Sequence, residues 1–281
     1  MGRAHPVGFV QIGTDALRSC MNEDCVRRHF GHPIRVLPPE KPSELAGHAA
    51  GAFATTRWSV VVRARDSQSP EAAAAMERLC RTYWYPLYCF VRRKGHSHED
   101  ASDLTQAFFA LFLEKRYLKS VDAGLGKFRT FLLASMKHFL ANEWDKSQTL
   151  KRGGGARVLS LDDTTANERY GLEPVEPATP ETLYERRWAE TVVSVVLERL
   201  AAETEEKRFE ALKGFLLDEK GAVSFDDAAA QLGMTVAGVT SAIHRLRARF
   251  VALLVKEVEN TVNTPAEAEA ELRHLLASLT G

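Results

Sequence analysis

The pattern of apolar and polar residues along the chain predicts helices from about residue 70 onward. One helix is predicted from about Asp100 to Glu114, because its apolar residues recur at intervals of three and four. Another is predicted from Lys127 to about Lys146, with phenylalanines facing inward. Its predicted outward positions are Arg129, Lys137, His138, Asn142, Trp144 and Lys146. The chain carries no β-hairpin signal, so we expect an all-α fold.

Capping residues predict a short helix, a turn and a longer helix near the C-terminal end. Ser224 with Asp227 three residues later forms a capping box, and Gly233 is placed to end the short helix. Thr235 is a favourable N-cap for the longer helix, which carries a run of basic residues. This order is typical of a helix-turn-helix whose second helix enters the major groove of DNA. A plain helical hairpin with a solvated basic face has the same spacing.

The length of 281 residues predicts about two domains, each with its own core. Glycines, prolines and a loss of periodicity separate them, and Thr179 with Pro180 then favours the start of a new helix. The predicted segments are a poorly ordered N-terminal extension (1–54), a helical domain (55–146), a flexible linker (147–179), a second helical domain (180–256) and a C-terminal amphipathic helix (257–281).

Composition limits the classes of function. The 37 Lys and Arg residues balance the 37 Asp and Glu residues, which argues against a protein that coats nucleic acid by bulk attraction. Any DNA contact is therefore expected to be local or to depend on a partner. Four cysteines are too few for a disulfide scaffold and suit a reducing compartment. With no apolar run long enough for a membrane span or a secretory signal, we expect a cytoplasmic protein without a membrane partner.

Three stretches, in order, resemble bacterial sigma factors of the extracytoplasmic-function type. The sequence Asp100-Ala-Ser-Asp-Leu-Thr-Gln-Ala-Phe-Phe-Ala-Leu-Phe resembles their second conserved region. Residues 128–145, followed by Lys151-Arg152, resemble the adjoining helix that opens and reads the promoter. Residues 232–247 resemble the helix-turn-helix of the fourth region, which reads the upstream promoter element. The resemblance covers roughly residues 70 to 255 and implies two small helical domains, similar to sigma regions 2 and 4, joined by a flexible linker.

The resemblance implies a sigma factor that has no catalytic residues or cofactor, with core RNA polymerase and promoter DNA as partners. An anti-sigma factor is a further partner that the family leaves open. The implied polymerase-binding residues are Asp100, Asp103, Leu104, Gln106, Phe108 and Phe109. The residues implied to bind and melt the minus-ten element are Arg129, Lys137, His138, Asn142, Glu143, Trp144 and Lys146. Those implied to bind the minus-thirty-five element are Thr235, Val236, Thr240, Ser241, His244, Arg245, Arg247 and Arg249.

The chain departs from the family pattern at several positions. Ala107 stands where an acid usually follows the glutamine, and Asn142 takes a position that often carries Asp. Thr240 and Ala242 replace basic residues that are frequent in the recognition helix. The minus-thirty-five element is therefore expected to be bound more weakly or with a different specificity. The C-terminal helix either packs on the fourth-region core or docks a regulator.

Other readings of the same residues lead to different functions. Cys20, Cys25, His29 and His32 have zinc-ligand chemistry but poor finger spacing, so we expect no metal site. The acids and histidines between His96 and Asp103 are expected to be an exposed helix start rather than a hydrolase centre. A helix-turn-helix regulator that does not recruit polymerase is a rival function. A protein-interaction adaptor that has lost DNA binding is a third.

Overall fold

The computed structural model describes residues 70–113, 127–149, 166–167, 170–171, 178–217, 224–262 and 264–280. The predicted N-terminal extension and most of the predicted linker lie outside these ranges. All secondary-structure elements in the described ranges are α-helices, and none is a strand, which confirms the all-α class. None of these helices has both the length and the apolar character that a membrane span needs.

The described residues form eight helices, which we number in chain order. Their bounds are α1 (Pro70–Arg93), α2 (His98–Leu113), α3 (Phe128–Thr149), α4 (Pro180–Glu203), α5 (Glu206–Leu217), α6 (Phe225–Leu232), α7 (Val236–Glu259) and α8 (Pro265–Thr280). The α1 helix continues through Pro86. It ends before Gly95, whose φ of +98° is a conformation that glycine adopts without a Cβ clash.

The described chain forms two compact units. The α1–α3 unit consists of residues 70–191 and 259–268, and the α5–α7 unit consists of residues 192–258 and 269–280. The α4 helix gives its first twelve residues to one unit and its last twelve to the other. The units therefore divide the chain at 191, whereas the sequence predicts that the second domain begins at 180.

Aromatic side chains build the core of the α1–α3 unit. Tyr83, Phe108 and Trp188 have no exposed surface, and the Phe108 and Phe139 rings lie 5.8 Å apart in an edge-to-face arrangement. The Trp188 indole N–H donates a hydrogen bond of 3.2 Å to the Tyr83 hydroxyl. This bond joins α1 to the first half of α4 and satisfies a polar group that would otherwise be costly to bury.

Aliphatic side chains build the core of the α5–α7 unit, around an inward stripe of α7. The members of this stripe recur at intervals of three and four and are all buried: Val239, Ile243, Leu246, Phe250 and Leu253. Leu272 and Leu275 of α8 are also fully buried. A reciprocal capping box begins α8: Glu267 N–H donates to the Thr264 hydroxyl (3.2 Å), and Thr264 N–H donates to the Glu267 carboxylate (3.1 Å).

Candidate nucleic-acid interface

Local hydrogen bonds fix the turn between α6 and α7. The Ser224 hydroxyl accepts a 3.0 Å hydrogen bond from Asp227 N–H, which confirms the predicted N-cap of α6. Gly233 ends α6 in the left-handed conformation, with φ of +62°. The Thr235 hydroxyl then accepts a 3.1 Å hydrogen bond from Gly238 N–H and caps α7 as predicted. The turn is therefore held at both ends, and it sets the point at which α7 begins.

The α7 helix exposes a polar face opposite its buried stripe. Val236 is an exposed apolar residue, with 43% of its surface accessible. The exposed predicted contacts in this stretch are Thr235, Val236, Thr240, Ser241, His244, Arg245 and Arg249. The Thr240 hydroxyl also donates a 3.0 Å hydrogen bond to the Val236 carbonyl, which leaves the hydroxyl oxygen able to accept. The face offers hydroxyl, methyl, imidazole and guanidinium groups.

Two of the basic residues on α7 make intramolecular contacts. The Arg247 guanidinium is partly buried and donates a 2.7 Å hydrogen bond to the Phe215 carbonyl at the end of α5. Arg249 donates from Nε (2.7 Å) and from Nη2 (2.6 Å) to one carboxylate oxygen of Glu203. Arg247 thus joins α5 to α7, and Arg249 joins α7 to α4.

Glu203 is shared between two arginines. Arg249 holds one of its oxygens, and Arg199 lies 3.2 Å from the other. The hydrogen bond from Arg249, assisted by Arg199, lowers the pKa of the Glu203 carboxyl below its ordinary value. Glu203 is therefore ionised at neutral pH and competes for Arg249 with any other anion.

The α3 helix exposes a second polar face. Lys137, His138 and Asn142 are exposed, and Trp144 keeps 64% of its surface accessible. Glu143 is half-buried, and the Lys146 side chain lies outside the described residues. Successive residues of an α-helix are rotated by about 100°, so these four exposed side chains cover an arc of about 160° around the helix axis. Trp144 lies at one edge of the arc and Asn142 at the other. The described part of this face thus combines one cation, Lys137, with a histidine, an amide and an accessible indole.

Arg129 does not belong to this face, and its predicted outward position is wrong. Only 5% of the residue is exposed. Its guanidinium forms an ion pair with Glu185 and lies 5.0 Å from the centre of the Trp188 ring. Its carbonyl accepts a 2.9 Å hydrogen bond from the Tyr184 hydroxyl. The physical reason is that α4 supplies a carboxylate and an aromatic face, which together compensate for burying the charge.

Lys137 pairs with a residue of α4 and remains at the surface. Its ammonium nitrogen lies 2.8 Å from a Glu181 carboxylate oxygen, and both side chains are at least 40% exposed. The hydrogen bond from Lys137 lowers the pKa of the Glu181 carboxyl. An exposed pair of this kind is weak, so an incoming phosphate is able to displace Glu181.

The α2 helix has an acidic exposed side and an aromatic buried side. Asp100 and Asp103 are exposed, whereas Leu104 and Gln106 are half-buried. Phe108 has no exposed surface and Phe109 only 7%, so neither ring is accessible to a partner in this structure. This burial corrects the predicted docking surface. Phe108 packs against Phe139 and Phe109 packs against Phe108, which takes both phenylalanines into the core of the unit.

The candidate metal ligands do not form a site within the described ranges. In those ranges no three His, Cys, Asp or Glu residues lie close enough together to hold a metal ion. His98, which the sequence places beside acids, has its Nδ1 atom 3.0 Å from the Tyr88 hydroxyl. Cys20, Cys25, His29 and His32 lie outside the described residues.

Comparisons with protein-family models, curated proteins and solved structures gave no match to this chain. The sigma-factor resemblance therefore depends on the residues quoted above.

Sequence reasoning missed the acidic partners of the predicted DNA contacts. Glu181, Glu185 and Glu203 all lie on α4, between 44 and 56 positions from Lys137, Arg129 and Arg249. Local spacing gives no signal for pairs so far apart in the chain. The sequence indicates only that the three glutamates lie on one helix, which also carries buried aromatic and aliphatic residues. It does not indicate which basic residues they pair with.

Proposed function

We propose that this chain is an alternative sigma factor that binds core RNA polymerase and directs promoter recognition, DNA melting and transcription initiation. The observation that carries the proposal is the exposed polar and basic face of α7, presented after a turn that is capped at both ends. Because transcription in bacteria takes place in the cytoplasm, we propose that location as well.

The face of α7 has the chemistry that duplex recognition needs. Hydroxyl groups such as Thr240 and Ser241 hydrogen-bond to base edges, and the exposed methyl groups of Val236 contact thymine methyls. His244 and Arg245 lie further along the same helix, where a guanidinium pairs with phosphate. In the proposed function, this face binds the minus-thirty-five element.

The face of α3 has the chemistry that single-stranded DNA needs. An exposed indole provides a stacking surface for an unpaired base, and neighbouring cations neutralise the phosphates. Trp144 and Lys137 meet these requirements on one side of α3. Flipping a base costs a few kcal/mol, which stacking on such a ring offsets. In the proposed function, this face binds and melts the minus-ten element.

The acids of α2 supply the polymerase contact in this proposal. Asp100 and Asp103 are one helical turn apart and exposed, with Leu104 half-buried beside them. Such a surface suits a basic partner, for which carboxylates give orientation and rapid association. The polymerase contact then relies on charge, because the phenylalanines that follow are in the core.

The burial of Phe108 and Phe109 favours one rival function. Interfaces usually concentrate their binding energy in a few large anchors, and α2 presents none of its phenylalanine rings. A helix-turn-helix regulator that binds duplex DNA without polymerase uses α7 in the same way and requires nothing of α2. This rival predicts DNA binding by the isolated chain.

Electrophoretic mobility shift of duplex DNA from the source genome separates the two functions. A sigma factor retards the DNA in a sequence-selective way only when core polymerase is present, whereas the rival does so alone. Ser241→Glu places a carboxylate on the α7 face and is expected to weaken polymerase-dependent DNA binding at least about tenfold. Ala277→Glu adds the same charge at an exposed position of α8 and is the matched control. Sequence-selective binding by the isolated chain, unchanged by polymerase, would contradict the proposal.

A further inference from the structure

A cleft in the α5–α7 unit combines an apolar floor with arginine walls. It lies between the end of α4, the start of α5 and the middle of α7, and its volume is about 350 Å³. The apolar floor consists of Leu200, Ala242 and Leu246, and the arginines at its walls are Arg208, Arg245 and Arg249. A volume of this size is at the lower end of the range for small-ligand sites, which is roughly 300 to 1,000 Å³.

The charges in the cleft leave two guanidinium groups available. Glu203 is neutralised by Arg199 and Arg249, as described above. The guanidinium groups of Arg208 and Arg245 make no hydrogen bond or ion pair with any residue in the part of the chain that the structure describes. Glu205 is the other carboxylate at the cleft. Apart from the Glu203 pairs, the cleft therefore holds one carboxylate, Glu205, and two guanidinium groups, Arg208 and Arg245, and its net charge is positive. Each guanidinium offers a planar set of hydrogen-bond donors.

The start of α5 adds backbone donors on the same side. The first intrahelical hydrogen bond closes from Phe209 N–H to the Glu205 carbonyl at 2.9 Å. The N–H groups of residues 206–208 therefore have no carbonyl partner four residues earlier in the helix. This end of a twelve-residue helix carries a partial positive charge. Arg208 lies in this first turn and also lines the cleft, so the helix end and the guanidinium favour the same kind of ligand.

We propose that this cleft is a phosphate-binding site in which Arg208 and Arg245 bind phosphoryl oxygens. Guanidinium groups pair with phosphate through two parallel hydrogen bonds, which suits two arginines at one cleft. The phosphate comes either from a free phosphorylated compound or from the backbone of duplex DNA, and the DNA source rests on the proposed function, in which Arg245 already contacts phosphate. Arg249 pairs with Glu203, and a phosphate that enters the cleft competes with that carboxylate for Arg249.

Isothermal titration calorimetry on the full chain tests the site with two probes, inorganic pyrophosphate and a short duplex DNA. Arg208→Gln and Arg245→Gln keep a polar side chain at each position while removing its charge. Each is expected to weaken binding of at least one probe roughly tenfold, as loss of a charge-assisted hydrogen bond predicts. Arg273→Gln, on the exposed side of α8 and paired with Glu269, is the matched control. Circular dichroism confirms that each variant is folded.

Each outcome decides the proposal. Pyrophosphate binding that both cleft variants weaken supports a free phosphorylated ligand. If only the duplex binds, and Arg208→Gln weakens it, the DNA backbone is the source. The proposal is overturned if neither probe binds, or if Arg208→Gln changes no affinity beyond the control. Polymerase-dependent DNA binding is measured separately, so the sigma-factor proposal survives that failure.

Discussion

Arg129 shows how a single residue departs from its local pattern. Its position on a helix with a polar face predicts exposure, because an unpaired charge is too costly to bury. The partners that make its burial possible, Glu185 and Trp188, lie on α4, more than fifty positions later in the chain. No pattern within α3 contains this information.

Removing the Arg129 charge is expected to destabilise the fold. Arg129→Met leaves Glu185 without its cation in a largely buried place, which costs about 2–4 kcal/mol. Urea unfolding followed by circular dichroism measures this loss. The double variant Arg129→Met with Glu185→Leu is expected to recover most of it, because no unpaired charge remains. Arg81→Ala removes an exposed pair with Glu77 and should cost less than about 0.5 kcal/mol. If Arg129→Met also costs less than about 0.5 kcal/mol of unfolding free energy, the ion pair between Arg129 and Glu185 does not stabilise the fold.

Lys137 is expected to control the titration of Glu181. In Lys137→Ala the pKa of the Glu181 carboxyl rises towards its ordinary value, because the hydrogen bond that lowers it is lost. NMR titration of the side-chain carboxyl measures the shift. A lowered pKa in the folded state stabilises the protein above the unfolded pKa, and this contribution is lost as pH falls through the folded pKa. The wild-type stability should therefore fall more in acid than that of the variant. A pKa of Glu181 that does not change would exclude the contact.

At the scale of elements, helix ends were the most predictable features. Ser224, Thr235 and Gly233 act through neighbours three or four positions away, so the sequence contains the whole signal. The box of Thr264 and Glu267 at the start of α8 follows the same spacing, and a systematic search for it would have found it.

The turn before α7 is expected to depend on Gly233. Gly233→Ala forces a Cβ into the left-handed region and is expected to cost about 1–2 kcal/mol, although the space around it is open. Thermal unfolding measures the loss. Gly171→Ala is the control, because its Cβ also meets open space and its φ is not positive. Equal stability of the two variants would contradict this role of the turn.

The two sides of α2 should respond differently to substitution. Asp103→Lys is expected to weaken capture of core polymerase about tenfold while leaving the melting temperature unchanged, because Asp103 is exposed. Phe108→Ala is expected to cost about 3–5 kcal/mol of stability, because it opens a cavity in the core. Pull-down and calorimetry measure the two effects. Glu198→Lys, at an exposed position of α4, controls for the charge change, and equal capture by both lysine variants would exclude the α2 surface.

At the scale of the whole molecule, the sequence predicted the class of fold. Period and capping are local, and they correctly predicted helices over most of the described chain. The division of α4 at residue 191 depends on contacts between distant positions, such as the bond between Trp188 and Tyr83. The exposed faces of α3 and α7 were predictable for the same reason as the helices. The acids that pair with them were not.

The balance of charge over the chain bears on how it binds DNA. Equal numbers of acidic and basic residues give the chain little nonspecific attraction to DNA. Glutamates of α4 also form ion pairs with Lys137 and Arg249. A partner that supplies most of the affinity removes this difficulty, and core polymerase is such a partner in the proposed function.

In vitro transcription of the source genome with purified core polymerase tests the central claim most directly. RNA 5′ ends are sequenced with and without the chain. The proposed function predicts new 5′ ends that appear only when the chain is present and that lie downstream of one shared pair of sequence elements. The same 5′ ends with core polymerase alone, or new ends without a shared pair of elements, would contradict it.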